Sequence, residues 1–299
     1  MVLVCAPWLG SFAAEPIVPP APPPEAICGF IAGPHYYYET ERVKQGLSVD
    51  LLIGQEQINR PVRLRFFVNQ KPKNFPVDKL QIEHEKFVHV IGVRDDLEEF
   101  FHVHPVRVSP GIWEAVYTFT HGGNYKIWTD LKYLGTSYSF GHPMLTLSGN
   151  LGSAPDARVP KDSVISAGYE ISFSHPEPLE MGRTNQLQFS IRDSSGNAIA
   201  TENFLGAAMH LVIVKDDLSV YLHAHPKPRR AGDTTIRFSQ SFTKAGTYKL
   251  FVQFRPKNTN LPVDEAVLAE FYLTMAKTAP AVLDSVAEQR PVPVAARQP

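Results

Sequence analysis

Histidine is the residue type that this chain repeats in a pattern suited to chemistry. Residues 87–105 carry one histidine and end in His-x-His-Pro, and residues 209–226 repeat that arrangement. The ungapped segments 89–105 and 210–226 are identical at eight positions, which in the first copy are His89, Val93, Asp95, Asp96, Leu97, His102, His104 and Pro105. Neutral imidazole is a good ligand for copper and zinc. The sequence therefore predicts two candidate metal triads, formed by His89, His102 and His104 and by His210, His223 and His225.

A β-hairpin would bring each triad together. In each copy, two apolar runs rich in Val, Ile and aromatic residues flank a turn that carries Asp-Asp-Leu. A two-residue loop sets His89 opposite His102, whereas a four-residue loop sets it opposite His104. Side chains alternate with period two along a strand, so both loops leave the three histidines on one face. The same parity applies to the second copy, and the length of the loop stays open.

Other residues are candidates by position. His84 precedes the first triad and His142 precedes the last strand of the first repeat, so both are possible additional ligands. Met209 neighbours His210 and therefore points to the other face of its strand, towards a core. The Asp-Asp pairs sit in the turns, where turn chemistry explains them better than metal chemistry.

The repeat also predicts the architecture. The two copies are offset by 121 residues, and short strand patterns with turns between them surround both copies. Helical signals are weak. The expected fold is all-β, with two tandem antiparallel immunoglobulin-like or cupredoxin-like Greek-key β-sandwiches. The expected first sandwich spans residues 35–149, a linker spans 150–165, and the second sandwich spans 166–276.

The chain ends predict export. Residues 1–14 are apolar and end in small residues, as a signal peptide does, although no Lys or Arg precedes the apolar core. A proline-rich linker follows at 15–34, and residues 277–299 resemble a disordered tail. The chain has two cysteines, Cys5 and Cys28, and removal of the signal would leave one. We therefore expect a periplasmic or secreted protein without a disulfide framework.

Charge and hydropathy exclude other partners. The formal net charge is −1 with a pI near 6.8, so no basic excess indicates nucleic acid. After the first residues, no apolar run approaches the roughly 20 residues of a membrane helix.

The order of motifs resembles a known group of domains. The chain resembles secreted bacterial cupredoxin-like or YtkA-like β-sandwich domains in four motifs. These motifs are His84-Glu85-Lys86, the Asp-Asp-Leu turn, Phe-His-Val-His-Pro and Gly123-x-Tyr125-Lys126. The resemblance covers residues 47–148 and 169–275. It implies a sandwich outside the cytoplasm that handles heavy metals, but no defined activity. The second repeat departs from it, with Leu205-Gly206-Ala207 where the first has His-Glu-Lys.

Three functions remain open at this point. The first is a non-catalytic extracytoplasmic protein that binds copper or zinc with both triads. The second is an interaction module for another extracytoplasmic protein, in which the histidines are structural. The third is a three-His metalloenzyme, for which Glu85 is the one candidate acid or base. Blue-copper chemistry needs a cysteine ligand, and neither repeat has one. Duplicated sites without added acids favour binding, so no catalytic residue is assigned.

Overall fold

The structure is a computed structural model that describes residues 45–54, 57–153, 157–228, 233–257, 259–262 and 265–276, together with the backbone of 36–38. The expected signal peptide, proline-rich linker and tail, and both cysteines, lie outside the described residues. Within them the protein is all-β, as predicted, and it forms two tandem antiparallel β-sandwiches. None of this described part forms a helix of the length and apolarity that crossing a membrane requires.

The first sandwich contains eleven of the described strands. They are β1 (Tyr36–Tyr38), β2 (Gly46–Ile53), β3 (Pro61–Lys71), β4 (Phe75–Pro76), β5 (Val88–Arg94), β6 (Phe100–Val103), β7 (Val106–Ser109), β8 (Ile112–Thr118), β9 (Gly123–Tyr133), β10 (Thr136–Gly141) and β11 (Leu145–Leu147). One sheet has the order β1-β2-β3-β8-β7, with β4 on β3. The other has the order β10-β9-β5-β6, with β11 on β9. The chain passes between the sheets after β4, β6 and β8, which is the Greek-key connection of immunoglobulin-like sandwiches.

The second sandwich repeats this order. Its described strands are β12 (Ser163–Ser166), β13 (Tyr169–Ser174), β14 (Thr184–Arg192), β15 (Thr201–Glu202), β16 (His210–Lys215), β17 (Tyr221–Ala224), β18 (Ile236–Ser241), β19 (Gly246–Pro256) and β20 (Val267–Met275). The sheets are β12-β13-β14-β18 and β15-β19-β16-β17, with β20 on β19. The β5–β6 hairpin of the first sandwich thus corresponds to the β16–β17 hairpin of the second.

A buried tyrosine closes the corner of each sandwich. Tyr125 is fully buried, and its hydroxyl donates to the carbonyl of His121 at 2.8 Å. Tyr248 is equally buried and donates to the carbonyl of Lys244 at 2.6 Å. A tyrosine at this corner, bonded to the backbone a few residues upstream, is a hallmark of Greek-key sandwiches.

The two hairpins fill their cores with different pairs of side chains. Gly92 lies opposite Phe101 in the first hairpin, and a Cβ at Gly92 would lie 2.1 Å from the Phe101 ring. The corresponding pair in the second hairpin is Ile213 opposite Leu222. One repeat therefore combines the smallest residue with a large ring, whereas the other combines two aliphatic residues of similar size.

Several short strands are absent from the sequence prediction, and two of them, β10 and β12, lie next to two-residue loops. β10 follows β9 through Leu134-Gly135, and β12 precedes β13 through Ala167-Gly168, each pair having positive φ at both residues. Such two-residue loops are the tight hairpin turns that match the twist of antiparallel strands. The second sandwich accordingly starts at Ser163, inside the segment expected to be a linker.

Candidate metal centre

The register of both hairpins corresponds to a four-residue loop. Val90 pairs with Val103, and the amide of Arg94 donates to the carbonyl of Glu99 at 2.9 Å. Continued by one pair, this register sets His89 opposite His104. In the second hairpin Leu211 pairs with Ala224, which sets His210 opposite His225. Of the two loop lengths open from the sequence, the longer is therefore the one adopted.

The Asp-Asp-Leu turn serves this loop. Leu97 is buried with φ of 71°, and the corresponding Leu218 has φ of 59°. Asp96 Oδ1 accepts from the amide of Glu98 at 3.0 Å, and Asp217 Oδ1 accepts from the amide of Ser219 at 2.9 Å. The acidic pairs thus shape the turn at the far end of the hairpin from the histidines, as expected.

In the first triad, one ring nitrogen of His89 approaches a ring nitrogen of each of the other two histidines. His89 Nδ1 lies 3.2 Å from His102 Nε2 and 3.2 Å from His104 Nε2. The ring centroids lie 4.6–5.4 Å apart. His89 is buried, whereas the other two histidines are half-buried, so the triad is partly accessible from the surface.

A tight turn before β5 orients the buried member. Glu83 and Lys86 form a two-residue turn through His84 and Glu85, both with positive φ. His89 Nε2 lies 2.9 Å from the carbonyl oxygen of Glu83. A carbonyl oxygen only accepts, so Nε2 carries the proton and Nδ1 presents its lone pair to the other two rings. A backbone carbonyl is a common partner for the outer nitrogen of a metal-ligating histidine.

The second triad has the same form. His210 is fully buried, and its Nδ1 lies 3.1 Å from His225 Nε2. The potential ligand nitrogens of His210, His223 and His225 all lie within 4.8 Å of one another. Ring centroids in this triad lie 4.8–5.9 Å apart. In each hairpin, the rings of the three predicted histidines therefore lie close to one another.

The surroundings of the two triads differ. The His84 ring centroid lies 6.3 Å from that of His89, so this predicted additional ligand borders the first triad. Asp130 lies directly opposite His89 on β9, so both side chains occupy one face of the sheet. Opposite His210 the second sandwich has Gln253. Asp130 is a candidate that the sequence prediction missed, because only the register of β5 against β9 brings it beside His89.

His142, the other predicted additional ligand, lies elsewhere. Its ring is fully buried, with Nε2 2.8 Å from Thr129 Oγ1 and its centroid 6.0 Å from that of Phe66 in the facing sheet. Thr129 is opposite Val90 and therefore faces the core, whereas His89 faces the other side. The thickness of the sheet thus separates His142 from the triad. Burial, together with the charge of Lys126, lowers the pKa of His142 to about 3, so this histidine is a neutral core residue.

Glu99 is the centre of a second polar cluster, which the sequence prediction missed. Its carboxylate accepts hydrogen bonds from the Thr120 amide at 3.0 Å, the Thr120 hydroxyl at 2.8 Å and Tyr117 Oη at 3.3 Å, and it lies 3.1 Å from His121 Nδ1. Burial alone would raise the pKa of Glu99, but these donors outweigh it, so the pKa lies below its ordinary value. The cluster fixes the segment before β9 and is structural.

Comparison with known proteins gives a family but no activity. No curated protein matches the chain. The model of a domain of unknown function, DUF8832, matches twice, at residues 41–144 and 163–270, and the two matches cover well over half of the chain. This match does not name a cupredoxin-like or YtkA-like family, so that resemblance remains a prediction. The two matches coincide with the two sandwiches, and the chain belongs to the DUF8832 family with two tandem copies of its domain.

Proposed function

We propose that this protein binds metal ions, with one copper or zinc ion held by the three histidines of each sandwich. The observation that carries the proposal is the convergence of His89 Nδ1 with the Nε2 atoms of His102 and His104 at 3.2 Å. Ligand nitrogens bound at about 2.0–2.1 Å to a tetrahedral ion lie about 3.3–3.4 Å apart. The two separations from His89 Nδ1 therefore match the separations between corners of a tetrahedral site.

Hydrogen bonding among the rings explains this arrangement less well. His89 Nδ1 has one in-plane lone pair, and two ring nitrogens lie at the same distance from it. One lone pair serves one N–H donor with good geometry, so at most one of the two contacts is a well-formed hydrogen bond. A cation at the centre interacts with all three lone pairs at once. The same geometry recurs at His210 and His225, 121 residues further along the chain.

The ligand type restricts the metal. Three imidazoles suit copper(II) and zinc, whereas calcium and magnesium prefer oxygen ligands. Ligating imidazoles must be neutral, and an ordinary histidine has a pKa of about 6.5. Metal affinity should therefore fall as the pH drops below that value. Three protein ligands leave a fourth position for water or another ligand.

We further propose that the protein works outside the cytoplasm. The support is the apolar segment at residues 1–14 with its small-residue end, which lies outside the described residues. N-terminal sequencing of the mature protein tests this. A start near Glu15 supports export, and recovery of the intact N-terminus from the cytoplasm contradicts it.

Calorimetric titration of untagged, metal-free protein with zinc and copper(II) tests the metal proposal. Wild type should bind two ions per chain. His102→Ala and His225→Ala should each bind one, because His102 is a ligand of the first triad and His225 is a ligand of the second. His175→Ala is the matched control, since His175 is exposed on the second sandwich outside the triads, and it should still bind two. Binding that is absent from wild type, or equal in all four proteins, contradicts the proposal.

A further inference from the structure

We propose that the two triads are unequal and that the first is the tighter site for a divalent ion, with His84 and Asp130 responsible for the difference. This inference rests on the proposed metal function. Both triads have the same three histidine positions on the same hairpin register. The positions that border them do not match.

Two positions carry the contrast. His84, half-buried beside His89, corresponds to Leu205 in the second repeat. Asp130, half-buried and directly opposite His89, corresponds to Gln253, which is directly opposite His210. The first triad thus gains a fourth imidazole and a carboxylate, and the second has an alkyl group and a neutral amide in their places.

Other charges nearby do not cancel this difference. Lys132, whose Nζ lies 3.9 Å from Glu83 Oε1, corresponds to Arg255, so both repeats have a cation at this position. Glu85 and Lys86, which the second repeat lacks, are both exposed and opposite in sign. What remains is the carboxylate of Asp130 beside His89, together with that of Glu83, which is paired with Lys132 and corresponds to Phe204. In the second sandwich, Glu270 is paired with Lys249 at 2.9 Å, so it brings no net charge.

The physical consequence depends on the charge of the ion. Neutral imidazoles do not compensate a dication, so a nearby carboxylate in a partly buried setting stabilises the bound ion. Removal of groups that hydrogen-bond metal ligands typically weakens binding about 10–100-fold, and we take the lower figure for a carboxylate that acts through its charge. We therefore expect the first site to bind zinc at least about tenfold more tightly than the second. Coulomb energy scales with ionic charge, so the ratio between the sites should be smaller for copper(I).

Single-site proteins allow each affinity to be measured alone. His225→Ala retains the first triad and His102→Ala retains the second. Zinc dissociation constants, obtained by competition with a chromophoric chelator, should be lower for His225→Ala. Adding Asp130→Asn or His84→Leu to His225→Ala should each weaken binding, together to near the level of the second site. Gln253→Asp in the His102→Ala background should strengthen it.

Controls separate the possible failures. Asp95→Asn removes one negative charge at the turn of the hairpin. Asp95 lies six residues from His89 along an extended chain, which is about 20 Å, so this change should leave zinc affinity unchanged. Asp130→Asn should weaken zinc binding more than copper(I) binding, the latter measured anaerobically. Equal affinities in the two single-site proteins, or an Asp130→Asn variant that binds as tightly as its parent, overturn this inference and leave the metal function standing. No binding in either protein overturns the proposed function itself.

Discussion

Replacement of His142 should remove a large part of the acid sensitivity of the first sandwich. This ring is fully buried, and its pKa is lowered to about 3 by burial and by the charge of Lys126. In the unfolded chain an ordinary histidine has a pKa of about 6.5 and takes up a proton as the pH falls through that value. The folded state stays neutral, so acid stabilises the unfolded state. The stability contribution is intact above pH 6.5 and decreases between about 6.5 and 3. By pH 5 the loss amounts to about 2 kcal/mol from this group.

Tryptophan fluorescence gives a selective assay. Trp113 and Trp128 are both buried in the first sandwich, and the only other tryptophan is Trp8. In a Trp8→Phe background with a chelator present, urea unfolding followed by fluorescence yields the free energy of unfolding at pH 7 and pH 5. His142→Phe should show a decrease between these pH values that is smaller than the parent's by about 2 kcal/mol.

The test compares how much the free energy of unfolding changes between pH 7 and pH 5, so it does not depend on how much the substitution destabilises the protein at pH 7. His175→Gln changes an exposed residue of the second sandwich and should show the same change in the free energy of unfolding as the parent. If His142→Phe and the parent lose the same stability between pH 7 and pH 5, His142 is not the neutral buried group described here, and the reasoning fails.

Two further predictions concern packing and the corner hydrogen bonds. Tyr125→Phe and Tyr248→Phe should each destabilise only their own sandwich by about 1–2 kcal/mol, because a buried side chain loses its hydrogen bond to the backbone. Hydrogen-exchange protection in each sandwich measures this. If either substitution lowered protection equally in both sandwiches, the two hydrogen bonds would not act on their own sandwiches separately. Gly92→Ala should destabilise the first sandwich by about 1–3 kcal/mol, because its Cβ meets the Phe101 ring. Gly92→Ile combined with Phe101→Leu should restore most of that stability, as in the second sandwich; a double variant less stable than Gly92→Ala alone would contradict this.

The sequence was sufficient for the features that depend on periodicity. The alternation of side chains requires His89, His102 and His104 to share a face for either even loop length, and they do. The repeated strand order likewise predicts two Greek-key sandwiches. The sequence does not indicate strands such as β10 and β12, because their two-residue loops, Leu134-Gly135 and Ala167-Gly168, carry a single glycine beside an ordinary residue.

Other features depend on contacts distant in sequence. The choice of a four-residue loop rests on a buried leucine, Leu97, with positive φ, a conformation that sequence does not suggest for this residue type. The position of Asp130 beside His89 depends on the pairing of β5 with β9, which are far apart in the chain. His142 was a reasonable candidate by chain position, but the side of the sheet it occupies follows from its contact with Thr129.

The most direct test of the central claim is a crystal structure of the zinc- or copper-loaded protein, with anomalous difference maps on either side of the metal edge. We expect a metal peak in the first sandwich, bonded at about 2.0–2.1 Å to His89 Nδ1, His102 Nε2 and His104 Nε2. We expect a second peak among His210, His223 and His225. A loaded crystal with no anomalous peak at either triad, or with its metal bound elsewhere, would contradict the account.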